Sequence, residues 1–190
     1  MLFRSHNAKR VWAVASIHGE AARLSAIHDQ IAERFEPGDR LVYLGNFLGR
    51  GKTIRATLDH LLSFRRALLA EPGMLACNIV FLRGAQEEMW AKLILIHQAL
   101  NPGEVLEWML ERGLRETLGA YGGNADNGLV RTRNGAVELV RWTSGLREAM
   151  HAHPGHSKLM SALRRAAFTK DGSLLDRKST RLNSSHTSIS

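Results

Sequence analysis

Over the first hundred residues the apolar positions fall into two alternating rhythms. Val11–Ala15, Leu41–Leu44 and Asn78–Leu82 are short unbroken runs with the length and composition of buried strands. Between them lie longer segments in which apolar residues recur every three or four positions. Leu24, Ile27, Ile31 and Phe35 do so within 21–35, and Ile54, Leu58, Leu61, Leu62 and Leu68 within 53–69. A further helix is predicted from about Glu87 to Leu100. Ile17-His18-Gly19, Pro37-Gly38-Asp39 and Pro72-Gly73 punctuate the series. Strands alternating with helices predict parallel pairing and an α/β layer fold, in which ligands sit beyond the carboxyl ends of the strands. Three turns lie at those ends: at His18, at Asn46 to Arg50, and at Gly84 to Glu87.

From Asn101 the pattern turns mostly helical. Asn101-Pro102 opens a helix carrying Val105, Leu106, Met109 and Leu110 on one side. Tyr121–Gly128 reads as a loop. Asn134-Gly135 could close a hairpin between 129–133 and 136–141. Leu139, Trp142, Leu146 and Met150 nevertheless keep helical spacing, and a helix is favoured there. Leu159, Leu163 and Ala167 mark one more short helix.

A chain of 190 residues can hold one sizeable core. Its formal charge of +8 comes from Arg and Lys scattered along helices, often near Glu, with no aromatic-rich basic motif. This pattern predicts a solvated basic surface and no nucleic-acid partner. The single cysteine, Cys77, sits in an apolar stretch and predicts a buried thiol in a reducing compartment. No apolar run approaches membrane-spanning length, and Val11–Ala15 is too short for a signal-peptide core. The expected location is the cytoplasm, with no membrane partner.

The central stretch Arg40–Thr53 reads R-L-V-Y-L-G-N-F-L-G-R-G-K-T. A strand, a glycine-rich turn and a helix N-terminus in that order predict an anion site built from unpaired amides, with Arg50 and Lys52 adding charge. A P-loop requires G-x-x-x-x-G-K-[ST]. Gly51-Lys52-Thr53 supplies its end, but Asn46 stands where its first glycine belongs, so a nucleotide binder is the third reading.

Taken together, the three turns resemble those of the calcineurin-like metallophosphoesterases, especially bacterial relatives of serine/threonine protein phosphatases. That family reads D-x-H-G, G-D-x-x-D-R-G and R-G-N-H-E, each after a parallel strand. This chain has Ser16-Ile17-His18-Gly19, Gly45-Asn46-Phe47-Leu48-Gly49-Arg50-Gly51 and Arg83-Gly84-Ala85-Gln86-Glu87. Trp108, Gly113, Thr117-Leu118 and Tyr121-Gly122 resemble the family's W…GG…TL…YG segment. The likeness runs well over Lys9 to Tyr121 and weakly over 122–175.

The resemblance implies a two-metal hydrolytic pocket, and the departures fall on it. Ser16, Asn46 and Ala85 occupy metal-ligand positions, Asn46 that of the bridging carboxylate; only His18 remains. Gln86 stands at the general-acid histidine and Gly49 at the carboxylate that would orient it. Neutral side chains cannot offset two dications, and Gln86 cannot protonate a leaving group. Arg50 and Arg83 match arginines that hold phosphate directly, which needs no metal.

The expected function is therefore that of a catalytically inactive metallophosphoesterase domain that still binds a phosphorylated small molecule or protein. No cofactor is expected. A weakly active phosphoesterase using a Mn, Fe or Zn pair is the alternative. The resemblance implies a partial domain over 1–175, with a βαβαβ core at 9–100, a helical insertion at 101–170 and the second sheet missing. It also implies that this is the front portion of a longer protein.

Two further stretches complete the reading. His151, His153 and His156 (H-A-H-P-G-H) invite a metal hypothesis, but Pro154-Gly155 breaks any helix that would align them. A capped helix–loop junction is expected instead. Residues 176–190, rich in Ser, Thr and basic groups, resemble translated sequencing-adapter read-through and are expected to be a disordered, non-native tail.

Overall fold

The computed structural model describes residues 8–168, with the backbone of 3–4 and 174–176. After the two-residue strand β1 (Phe3–Arg4), the apolar runs form β2 (Val11–Val14), β3 (Arg40–Tyr43) and β4 (Ile79–Phe81). They make a parallel sheet in the order β2-β3-β4. The helices α1 (Ala21–Ala32) and α2 (Ile54–Ala70) are the crossovers, and α3 (Ala85–Ile94) follows β4. The register places Tyr43 beside Phe81, and their rings stack at 4.8 Å, so one cross-strand aromatic pair helps hold β3 to β4.

At the opposite end of the sheet Asp39, fully buried, accepts from the Arg10 guanidinium (3.1 Å), the Trp12 indole N–H (2.9 Å) and the Glu36 N–H (3.2 Å). These bonds tie the starts of β2 and β3 together.

The second half is helical: α4 (Pro102–Met109), a kink at Leu110–Leu114 where Gly113 leaves helical conformation, α5 (Arg115–Ala120), α6 (Ala125–Arg133), α7 (Ala136–Ala152) and α8 (His156–Ala162). One apolar cluster runs without a break from Leu41 and Leu58 through Leu93 and Leu106 to Leu146, so the insertion shares its core with the sheet layer. Each such buried leucine stabilises the fold by about 1.5–3 kcal/mol relative to exposure. Among the described residues no helix is long and apolar enough to cross a membrane.

Three expectations need correction and one stands. Residues 121–128 are not all loop, because the Asn124 side chain accepts from the Asn127 N–H at 2.9 Å and starts α6 at Ala125. The helical reading of 136–150 stands, and Asn134-Gly135 joins two helices where a hairpin was the alternative. Helix α8 ends before Leu163, and Ala167 lies on β5 (Ala166–Phe168). Cys77 is exposed, because it sits in the 3-10 turn Ala76–Asn78 ahead of β4 and not in the strand.

The second sheet, expected to be missing, is present as a fragment. Strand β5 pairs in parallel with β1 and antiparallel with β6 (Leu174–Asp176). The expected tail, apart from the backbone of Asp176, lies outside the described residues.

Candidate functional site

The three turns converge at the carboxyl end of the sheet because parallel strands with right-handed crossovers leave it on the same side each time. The first two are laced through their backbones. The N–H groups of Ile17 and His18 both donate to the Asn46 carbonyl, at 3.1 and 2.7 Å, and the Gly51 N–H donates to the His18 carbonyl at 2.6 Å. His18 and Asn46 both adopt left-handed backbone conformations, φ 53° and 55°. At Gly51 a Cβ would lie 2.2 Å from the His18 carbonyl oxygen, so glycine is a steric requirement of this crossing.

The turn amides predicted to be unpaired are occupied. Glu87, at the start of α3, is buried, and its carboxylate fills the glycine-rich turn. One oxygen accepts from the Phe47 and Leu48 N–H groups (2.7 and 3.1 Å), the other from Asn46 and Gly84 (2.9 and 2.7 Å). Burial pushes the Glu87 carboxyl above its ordinary range, with the four amide bonds pulling against that rise. The next amides are also engaged: Gly49 N–H donates to the Thr117 hydroxyl at 3.1 Å, and Thr53 N–H to the Gly19 carbonyl at 3.0 Å. The turn does bind an anion, but that anion is the protein's own Glu87. A phosphate cradle of the P-loop kind is therefore not formed here.

A neutral chain of hydrogen bonds lies beside this carboxylate. The Asn46 side-chain N–H donates to the Ser16 hydroxyl at 3.0 Å, and its carbonyl accepts from the Gln86 backbone N–H at 3.1 Å. The Gln86 side chain, also buried, donates to the Arg112 carbonyl at 2.8 Å. Gln86 and Gly49 are mutually dependent, since a Cβ on Gly49 would meet the Gln86 amide carbon at 2.8 Å. Ala85 carries no donor atom and is exposed. This set does not fit a pair of divalent ions, because both of Asn46's amide groups are spent on neutral partners and the one carboxylate between the turns, that of Glu87, is spent on four backbone N–H groups. Among the described residues no three His, Cys, Asp or Glu side chains group as a metal site.

Of the two arginines, Arg50 is exposed and lays its stem against Gly113 in the kink after α4, where an added Cβ would meet its Cγ at 2.7 Å. Arg83 is half-buried, and its N–H donates to the Arg164 carbonyl at 2.7 Å. Both follow the carboxyl ends of neighbouring strands, and Lys52 is exposed nearby in sequence. Sequence reasoning missed the parts of Glu87, Thr117 and Arg112. The one usable signal is the acidic first turn of α3.

The three histidines form no metal site. His156 is fully buried, with its two ring nitrogens 2.8 Å from the Tyr121 hydroxyl and 3.1 Å from an Asp59 oxygen. His153 stacks on it at 5.2 Å, and Gly155 caps α8 in a left-handed conformation. This is the helix–loop junction expected from Pro154-Gly155.

No family model and no curated protein matches the chain. Among solved structures it is similar to a protein serine/threonine phosphatase from Saccharomyces cerevisiae, itself described as similar to human phosphatase PP5. The identity is 11% and the TM-score 0.41, over 91% of this chain and 39% of that one. The chain thus spans well under half the length of that phosphatase.

Proposed function

We propose that the chain is a metallophosphoesterase-type domain of the serine/threonine phosphatase-like class that binds phosphate monoesters without hydrolysing them. The observation that carries this reading is the Ser16–Asn46–Gln86 chain of hydrogen bonds. It stands where three strand-end turns meet in the order of the family's motifs, and every group in it is neutral. Metal-activated water and a protonated leaving-group donor both need charges or titratable groups that this chain of amides does not supply. What remains for phosphate is guanidinium. Arg83 follows β4 and Arg50 follows the turn after β3, and an arginine fork holds a phosphate dianion through charge-assisted bonds. A phosphorylated protein or small molecule is the ligand class.

Isothermal titration of the full chain with phenyl phosphate and with a phosphoserine peptide tests this directly. Saturable binding is expected, weakened about ten- to a hundredfold by Arg50→Ala, the scale of a lost charge-assisted hydrogen bond. Addition of Mn, Fe or Zn should produce no turnover of p-nitrophenyl phosphate. Turnover with stoichiometric metal would establish the enzymatic alternative, and heat of binding untouched by Arg50→Ala would remove the arginine site.

A further inference from the structure

The sheet has two edge strands, β2 and β4, and among the described residues the outer edge of β4 is covered only in part. In a parallel pair a residue's N–H and C=O face the same neighbour, and successive residues alternate. The Leu82 N–H donates to the Tyr43 carbonyl at 2.8 Å, so Val80 and Leu82 face β3 while Ile79 and Phe81 face away from it. Residue 164 covers the far end of that outer edge: Arg164 N–H donates to the Phe81 carbonyl at 2.8 Å, and Arg83 N–H to the Arg164 carbonyl at 2.7 Å. One step upstream the cover stops, because residues 156–162 are helical and cannot pair. The Phe81 N–H and the Ile79 C=O are left with no partner among the described residues.

Both groups belong to strand residues that line a cavity of about 570 Å³ between β4, α2 and α8. Its walls include Leu62, Ile79 and Leu159, and among the described residues its charged lining is Arg65, Lys158 and Arg164, with no acidic side chain. Cys77 lies at its wall with an exposed thiol.

We propose that this groove docks an extended acidic peptide segment, which adds to the outer edge of β4 as a further strand. An unpaired donor and acceptor two residues apart on one edge match the repeat of an incoming strand. The apolar walls suit its inward side chains, and the positive charges of Arg65 and Lys158 select for Asp or Glu at the outward ones. The proposal is independent of the phosphate reading, since the groove lies along the strand and not at its carboxyl end.

The chain's single cysteine serves as the reporter. A hexapeptide alternating Glu and Val, titrated into the full chain, should slow the reaction of Cys77 with a neutral maleimide at least fivefold. The same peptide methylated on alternate backbone nitrogens should protect poorly, because a strand addition needs those N–H groups. A Lys–Val peptide and inorganic phosphate should not protect. The double variant Arg65→Glu, Lys158→Glu should lose protection at least tenfold in peptide concentration while keeping its circular dichroism and melting temperature. Absence of protection would overturn the proposal, and so would equal protection by the methylated peptide, by the Lys–Val peptide or by phosphate alone.

Discussion

A carboxylate that accepts four backbone N–H groups in a site closed to water has no isosteric substitute. In Glu87→Gln, one oxygen becomes an NH₂ group facing two amide donors, from Asn46 and Gly84 or from Phe47 and Leu48. Two buried donors then lack an acceptor, at roughly 1–3 kcal/mol each. Urea denaturation should show Glu87→Gln destabilised by about 2–6 kcal/mol. Nothing local to Glu87 announces this, because three of the four donors come from a turn about forty residues earlier. Gly49 has the same character. Its φ of 115° and its contact with Gln86 exclude a side chain, although in the sequence it reads only as a lost carboxylate.

Among the elements, the kink at Leu110–Leu114 connects the helical half to the candidate site. It turns the Arg112 carbonyl onto Gln86 and brings Gly113, at φ 100°, against the stem of Arg50. Gly113→Ala places a Cβ at 2.7 Å from the Arg50 Cγ on a left-handed backbone, a strain of about 1–3 kcal/mol. Its melting temperature should fall, and on the proposed reading its affinity for phenyl phosphate should fall with it, because Arg50 must move. Gly119→Ala is the matched control: it lies within α5, a Cβ there meets nothing within 4 Å, and alanine is the better helix former. That variant should be as stable as the parent or more so, with unchanged affinity.

For the molecule as a whole, buried neutral histidines set the response to acid. His28 of α1 is almost wholly buried, lies between Phe64 and His60 of α2, and is 2.7 Å from the Tyr43 hydroxyl on β3. Burial, with a smaller contribution from His60, lowers its pKa to about 3. Burial likewise lowers His156, against the opposing pull of Asp59. A histidine with a depressed folded-state pKa stabilises the fold fully above its unfolded value of about 6.5, and that stability is lost as pH falls towards the folded value. The loss approaches about 1.4 kcal/mol per pH unit for each such group. Urea midpoints should therefore be flat above pH 7 and fall steadily from about pH 6 towards pH 3. His28→Phe, which keeps the aromatic stack but cannot titrate, should show a shallower fall. An unchanged slope would place the acid sensitivity elsewhere.

The alternation of strand and helix, the order of the three turns and the neutral residues at their key positions were all legible in the amino-acid sequence. Periodicity and backbone sterics act over a few residues, so local chemistry is enough to set them. Which donor meets which acceptor across forty residues was not legible, and neither was the burial of His28 or the exposure of Cys77. Those depend on how the crossovers bring separate segments together. The turn's preference for a negative charge follows from its glycines and amides, whereas the identity of that charge, Glu87, was decided only when α3 packed beneath the turn.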